Sequence, residues 1–398
     1  MKICFDTFGC RLNRAESLEE EALYISQGHI IVKTHSEADI IILRGCSVTG
    51  RAQRDCEKLI AHIKKKYPLK KLVIQGCLPR NILTNNPLQK KLPPEEKTPL
   101  PTSTARAYLK VQDGCNSKCT YCTIPNFRGL ATSCNYEQTL DKAKRFIDLG
   151  YSEIVVTGCN VSQYNSNSIR LPELLSSLAN LSPNCRIRLG SLEPSPCASE
   201  TIDVIAENTN ICNFLHLSVQ SGSNGILNAM GRKYKAADIS KLCCKANEKM
   251  PLISIGADII CGFPGETEYD FTATRRLLAD NPFSNVHAFP YSERPGTAAA
   301  IFPSQLPKEI RAARAHIISS EMAIKRKAYA ANMKGRDVEV VIEDEKKLGG
   351  WTAEYLWLES LDGGSFRSQF KRKMLVKFRV IKVKENKLVG IVQNGRPN

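Results

Sequence analysis

The 398-residue chain lacks any apolar run of the roughly 18 residues that a membrane-crossing helix needs, so no membrane partner is expected. Its start, Met1-Lys2-Ile3-Cys4-Phe5-Asp6, lacks a signal-peptide pattern, because acidic and polar residues follow at once. Without export, the 16 cysteines argue against a disulfide framework and for metal-binding thiols in a reducing, cytoplasmic setting. Acidic residues are also in short supply. Forty Asp and Glu face 56 Lys and Arg, a net charge of +16, which suits a polyanionic partner. The length excludes one small core and implies two or three domains.

A further absence is the most informative. Cys115, Cys119 and Cys122 follow one another as C-x3-C-x2-C, with no fourth cysteine close by. Three thiolates hold three irons of a cubane and leave the fourth iron open, as an open position on zinc is a catalytic one. The residues also allow a structural zinc with a remote fourth ligand.

The first segment alternates strand and helix. Strands are expected at 3–7, 30–32, 40–43 and 72–74, with helices at 16–26 and 51–66. This predicts a parallel, doubly wound sheet, whose ligand crevice lies at the carboxyl ends of the strands. Cys10, Cys46 and Cys77 each fall just after a strand, and Gly9, Gly45 and Gly76 precede them. The repeated position predicts a second three-cysteine cluster, against the alternative of three unrelated buried thiols. A stretch at 81–104, rich in proline, lysine, asparagine and threonine, reads as a linker.

From residue 105 the alternation has a longer period. Strands at 108–111, 154–156, 187–189, 215–219, 253–260 and 286–289 predict a partial (β/α)6 barrel, with its site at the strand carboxyl ends. A helix at 308–331 closes it. Beyond Gly335, short strands at 338–342, 355–358, 375–383 and 388–392 predict a small all-β barrel of OB type. Arg367, Lys371, Arg372, Lys373, Lys377, Arg379, Lys382 and Lys384 crowd it, interleaved with Phe366, Phe370 and Phe378. Exposed aromatics in a basic groove suit nucleic acid; otherwise the aromatics are core.

The cysteine spacing, with Tyr121 before the last thiol, resembles the radical S-adenosylmethionine enzymes. In that family the open iron binds the cofactor, and one electron cleaves it to a 5'-deoxyadenosyl radical. The whole chain resembles the methylthiotransferases, which join a cluster domain, a radical S-adenosylmethionine barrel and a C-terminal TRAM domain. The matching stretches include Thr7-Phe8-Gly9-Cys10-Arg11-Leu12-Asn13, Arg188-Leu189-Gly190-Ser191-Leu192-Glu193-Pro194 and His216-Leu217-Ser218-Val219-Gln220-Ser221-Gly222-Ser223. Met230-Gly231-Arg232, Asp258-Ile259-Ile260-Cys261-Gly262-Phe263-Pro264-Gly265-Glu266 and Phe289-Pro290-Tyr291-Ser292-Glu293-Arg294-Pro295-Gly296 also match. The implied domains are 1–92 for the cluster domain, 93–104 for a linker, 105–331 for the radical core and 332–398 for TRAM.

The resemblance implies two 4Fe-4S clusters, one on Cys115, Cys119 and Cys122 and one on Cys10, Cys46 and Cys77. It implies that Tyr121 borders the adenine of S-adenosylmethionine, that Gln220 and Ser221 face its ribose, and that Glu193 holds its methionine end. Gly262 and Gly265 would let the backbone approach the cofactor. Read without the family, Gln220 and Ser221 would cap a turn and Glu193 would be an ion-pair partner. The implied partners are the tRNA anticodon stem-loop and an electron donor such as flavodoxin or ferredoxin.

Three branches of the family differ in substrate. The Arg188–Pro194 run, Val156-Thr157-Gly158 and Ser47-Val48-Thr49 resemble the branch acting at C2 of N6-threonylcarbamoyladenosine 37 in tRNA. Asn160-Val161-Ser162-Gln163-Tyr164 resembles the isopentenyladenosine branch. An aspartate of a ribosomal protein is the third family substrate. A zinc-containing RNA-binding protein without catalysis is the reading outside the enzymes. The chain departs from the family at Arg44-Gly45, where Asn-Thr usually precedes the second cysteine. Cys159, after the second barrel strand, reads as a buried free thiol.

Overall fold

The computed structural model describes residues 1–85, 99–361, 369–384 and 387–393. Four parallel strands, β1 (Lys2–Thr7), β2 (Ile30–Val32), β3 (Ile40–Cys46) and β4 (Lys71–Cys77), lie in the order β2-β1-β3-β4. Successive residues of β3 point to opposite faces. Ile40 and Ile42 pack with Tyr24 of helix α1 (Arg11–Ser26), and Ile41 and Leu43 with Ile63 of helix α2 (Gly50–Lys66). Helices on both faces make the sheet doubly wound, as expected. Helix α2 begins where the Thr49 hydroxyl accepts from the Ala52 N–H at 3.2 Å, and it ends on Lys64, Lys65 and Lys66, charges that suit the helix dipole. Helix α1 starts five residues earlier than the pattern suggests, directly after Cys10.

Six parallel barrel strands follow, at Ala107–Lys110, Glu153–Thr157, Arg186–Leu189, Phe214–Gln220, Ser254–Cys261 and Phe283–Pro290. The third continues past Gly190 as Ser191–Leu192, and there the sheet divides into two parts. Along each strand, alternate residues such as Ile154, Val156, Leu215, Leu217, Ile255 and Ala257 join the core beneath the helices. Their neighbours point inward and are polar: Arg106, Lys110, Glu153, Arg186, Arg188, His216, Asp258 and His287. The helix Lys308–Ala331 packs along the last strand. Residues 99–104 of the expected linker lie against this domain, where the Pro101 carbonyl accepts from the Tyr151 hydroxyl at 2.9 Å.

The C-terminal strands form a closed five-stranded barrel, one strand more than expected. The extra strand, Gly349–Thr352, is short and begins with two glycines, which hides its alternation. Tyr355, expected to open a strand, instead sits in a turn at φ 63°. Phe370 and Phe378 are buried in the core of this barrel, so they are not an exposed stacking surface. Phe366 and Arg367 fall outside the described residues. Arg372 and Lys373 are also not free for a ligand, because they dock on the larger barrel. Arg372 donates to the Ser103 carbonyl at 3.0 Å, and the Lys373 ammonium lies 3.8 Å from the Tyr151 ring centre. Lys371, Lys377, Arg379, Lys382 and Lys384 are exposed, with Arg379 paired to Asp337. Among the described residues no helix is long and apolar enough to cross a membrane.

The two barrels are joined by buried charge. Glu153 is fully buried and pairs with Arg186 at 2.5 Å, Arg188 at 2.8 Å and Arg106 at 3.6 Å. The guanidinium groups turn their other donors to the C-terminal barrel, at the carbonyls of Glu339, Trp351, Thr352 and Ala353. Burial opposes ionisation of Glu153, but the three arginines outweigh it and hold its pKa well below the carboxylate range. Replacing Glu153 by Gln leaves Arg186 and Arg188 buried without a counter-charge, while Arg106 keeps Glu343 at 2.6 Å. Glu153→Gln is expected to cost about 3–5 kcal/mol, read as a lowered melting temperature. An unchanged melting temperature would mean that the carbonyls alone satisfy the arginines.

Candidate active site

Cys46 and Cys77 end neighbouring strands and are partners in register, so the fold sets them side by side. Cys10 joins them from the turn after β1. Gly9 makes this approach feasible: at φ +98°, a Cβ there would lie 2.7 Å from that of Cys46. Asn13, fully buried on α1, donates to the carbonyls of Phe8 at 2.8 Å and Gly45 at 2.9 Å, tying two of the cysteine turns together. Cys10 is the N-cap of α1. The thiols of Cys46 and Cys77 are buried and that of Cys10 is exposed.

Cys115, Cys119 and Cys122 lie on the loop after the first barrel strand, at the strand carboxyl ends. Each sulfur has a donor. The Ser117 N–H reaches Cys115 at 3.4 Å, the Ile124 N–H reaches Cys122 at 3.4 Å, and Arg232 reaches Cys119 at 3.0 Å. Such donors tune iron–sulfur clusters. The Met230 carbonyl accepts from the Thr120 N–H at 3.1 Å, so the Met230-Gly231-Arg232 turn both pins the loop and supplies its cation.

The donor sets discriminate between metals. Four-coordinate zinc with bonds near 2.3 Å needs sulfurs about 3.8 Å apart. Among the described residues, only His216, Asp258 and His287 bring three ligand atoms within 4.8 Å of one another, and neither cysteine triad is drawn in so far. Both triads suit a cluster better than a single ion. Burial pushes Cys46 and Cys122 up to about 11, so loading metal must displace protons.

Sequence reasoning missed the residue that joins the triads. Arg128 ends the short helix after Cys122 and donates to the Cys77 sulfur at 2.8 Å and to Asn13 Oδ1 at 2.8 Å. It also pairs with Glu16 at 2.8 Å and Asp113 at 3.0 Å. Lys110 bridges the same two carboxylates at 2.7 and 2.6 Å. Arg44, the departure from the family pattern, pairs with Glu16 at 3.0 Å and Glu20 at 2.8 Å. Cys159 faces this joint, with its thiol donating to Asp113 at 3.4 Å. Burial and then the Asp113 charge keep that thiol protonated, although Arg128 opposes them.

The expected cofactor contacts divide. Glu193 stands at the cluster loop, pairing with Arg232 at 3.3 Å and accepting from Asn160 at 2.8 Å. Tyr121 packs beside Phe263, Met230 and Tyr291. Gln220 is half-buried at the end of its strand, at φ 68°. The hydroxyl of Ser221 is fully buried and accepts from the Ser223 N–H at 3.1 Å, which makes it a turn cap. At Gly262 the close neighbour is protein: a Cβ would lie 2.5 Å from Arg311 Cγ, so the glycine accommodates the closing helix. Gly265 faces open space.

Two thiol triads facing one partial barrel define an iron–sulfur radical enzyme with an auxiliary cluster. Residues 109–278 match the model of the Radical SAM superfamily, and residues 2–93 match Uncharacterized protein family UPF0004. The chain is 31% identical to threonylcarbamoyladenosine tRNA methylthiotransferase MtaB of Aquifex aeolicus, covering 87% of this chain and 94% of that one. It is 30% identical to tRNA-2-methylthio-N(6)-dimethylallyladenosine synthase of Thermodesulfovibrio yellowstonii, covering 77% and 80%. The radical S-adenosylmethionine methyltransferase TsrM of Kitasatospora setae shares the fold over 75% of this chain and 77% of its own, with TM-score 0.52 and 12% identity. The chain belongs to the methylthiotransferases of the radical S-adenosylmethionine superfamily. It is an enzyme whose cofactors are S-adenosylmethionine and two 4Fe-4S clusters.

Arg128→Met removes the donor to Cys77 and leaves Lys110 as the one cation bridging Glu16 and Asp113. Anaerobically reconstituted protein is expected to fall from about eight irons toward about four. Full iron content would show that α1 and Asn13 hold the auxiliary site without Arg128.

Proposed function

We propose that this enzyme adds a methylthio group to C2 of N6-threonylcarbamoyladenosine at position 37 of tRNA, beside the anticodon. The observation that carries the reading is the convergence of both thiol triads on one barrel mouth, joined through Arg128. The relatives that act on threonylcarbamoyladenosine support this branch. Cys115, Cys119 and Cys122 would hold the cluster that cleaves S-adenosylmethionine, and Cys10, Cys46 and Cys77 would hold the auxiliary one. When bound, these groups supply an electron, a carbon radical and a methylated sulfur, which opens a C–H bond too weakly acidic for acid–base chemistry.

The protein's own residues position and seal. Glu193 and Arg232 would take the methionine end of the cofactor, Tyr121 would border its adenine, and Gln220 would meet its ribose. Ser221 and Gly262 would act one step back, by shaping the turns that carry those groups, and Gly265 would leave room at the mouth. A base next to the anticodon must leave its stack at a cost of a few kcal/mol. Contacts from a C-terminal TRAM domain to the anticodon stem-loop would offset that cost. A flavodoxin or ferredoxin in the cytoplasm would supply electrons.

A second reading is the dimethylallyladenosine branch, favoured by Asn160-Val161-Ser162-Gln163-Tyr164 and by relatives of similar identity. Nucleoside analysis of tRNA from a strain lacking this enzyme separates the two. The methylthio form of threonylcarbamoyladenosine should vanish and return with the wild-type gene. Loss of methylthio-dimethylallyladenosine alone would instead establish the second branch. The Cys115→Ala, Cys119→Ala, Cys122→Ala variant should not restore the modification, and should keep about four irons on its auxiliary site.

Lys377, Lys382 and Lys384 are exposed on one strand of the C-terminal barrel. Replacing all three by Glu should weaken tRNA binding by at least about tenfold and reduce the salt slope by about 2–3. An unchanged slope would exclude these lysines as the RNA contact.

A further inference from the structure

The lower half of the radical barrel contains two arginines without a carboxylate partner and three buried nitrogens without an acceptor, although Arg11 reaches the Tyr355 side chain and Arg326 reaches Asn285. Arg11 follows Cys10 directly, and its guanidinium lies 5.1 Å from the ring centre of Tyr355. Other cations around the cavity have carboxylate partners: Arg44, Arg106, Lys110, Arg128, Arg186, Arg188 and Arg232. Among the described residues Arg11 has none. Arg326, from the closing helix, also has none. It donates to Asn285 Oδ1 at 2.7 Å, while its Nε is buried without an acceptor.

Two more orphans lie at the same level. His216, Gly256 and Asn285 are partners across three adjacent strands. His216 Nε2 and Asn285 Nδ2 are both buried without a partner, and the side chains are 8% and 5% exposed. Gly256 lets His216 and the Asn285 backbone close in over it: a Cβ there would lie 2.6 Å from His216 Cδ2 and 2.9 Å from the Asn285 carbonyl. His216 Nδ1 is engaged with the Ser191 hydroxyl at 3.0 Å, and Asp258 lies 3.6 Å from its Nε2 on the side toward the cluster mouth.

Tyr355 forms the floor. It enters from the C-terminal barrel at a backbone angle that few side chains adopt, stacks on Trp351 at 4.6 Å, and packs on Phe214 at 5.0 Å. Burial raises its phenol, but Arg11, Arg106 and Arg188 outweigh burial and lower it, which marks an electropositive floor. Buried donors without acceptors are costly, and several converging at one place call for an anion.

We propose that Arg11, Arg326, His216 and Asn285, gathered around Tyr355, form a carboxylate-receiving site on the barrel floor. The inference rests on the threonylcarbamoyl reading above and deepens it. The N6 substituent of that nucleoside ends in an amino-acid carboxylate, whereas a dimethylallyl group is uncharged. The site therefore selects the substrate by its charge, and the C-terminal barrel takes part in that selection through Tyr355.

The test uses reconstituted full-length enzyme, an isopentenyladenosine stem-loop as a control, and two further anticodon stem-loop RNAs. Both carry the N6-threonylcarbamoyl group at position 37, one as the free acid and one as its uncharged carboxamide. Single-turnover methylthiolation and RNA affinity are measured for wild type, Arg11→Gln and Arg326→Gln, with iron content as a control. Charge-assisted hydrogen bonds of this kind predict an acid-over-amide preference of about tenfold to hundredfold in wild type. Each variant should collapse that preference toward about one at wild-type iron content. Arg326 lies away from both cysteine triads, so its variant carries the test if Arg11→Gln loses iron. Equal use of acid and amide by wild type would overturn the site and leave the branch reading intact. An unchanged preference in both variants would place the carboxylate elsewhere and also overturn it. Activity confined to an isopentenyladenosine stem-loop would overturn branch and site together.

Discussion

Arg128 connects two chemistries that must act on one substrate atom. The radical source and the auxiliary thiols come from different domains, about 40 residues apart at their nearest points in the chain. One guanidinium closes that gap by donating to a ligand of the auxiliary site from the helix that leaves the radical loop. Its carboxylate partners, Glu16 and Asp113, come one from each domain. Because Arg128 is planar and presents a fixed fork of donors, it sets distance and orientation together, which a flexible ammonium would not. Arg44 and Lys110 extend the same network sideways and keep the charge balanced. The N-terminal domain is thus held over the open side of the barrel by ionic hydrogen bonds.

A partial barrel with a polar lining has the opposite requirement to a packed one. Its outward residues build an ordinary apolar core under the helices, so stability does not depend on filling the interior. The inward side then accommodates charges, provided each is paired. At the base that pairing is achieved by Glu153 with three arginines, of which Arg186 and Arg188 in turn bind carbonyls of the C-terminal barrel and Arg106 binds its Glu343 carboxylate. The smaller barrel is therefore part of the active-site wall as well as a candidate RNA contact. Removing it would open the cavity floor, which is why point changes at its exposed lysines are better probes of RNA binding than truncation.

Much of this was legible in the sequence because period and spacing are local. The alternation of β3 residues, the strand-end positions of Cys46 and Cys77, and the C-x3-C-x2-C loop need no knowledge of distant contacts. The less legible parts are all long-range. Arg128 reads as an ordinary helix-end cation until the fold brings Cys77 to it from 51 residues away. Gly262 sits in a cofactor-type motif, yet its missing side chain makes room for Arg311, a helix that pattern alone cannot dock. Phe370 and Phe378 looked like stacking residues because they alternate with lysines. In a closed barrel that alternation is simply inside against outside.

Tyr355 is a point at which the three domains meet. A side chain held at positive φ costs free energy, and that cost persists only where the surroundings over-determine the geometry. Here Trp351, Phe214, Arg188 and Arg11 come from three domains and meet on one ring. Only the Trp351 stack lies within the C-terminal barrel; the other contacts reach outside it, and the apolar core of that barrel does not include Tyr355. The ring therefore acts on the neighbouring cavity as well as on its own barrel. It closes the floor to water, and it fixes two guanidinium faces whose charges would otherwise repel. With the floor closed, any anion bound there is held in a low dielectric, where each donor counts for more than it would in water.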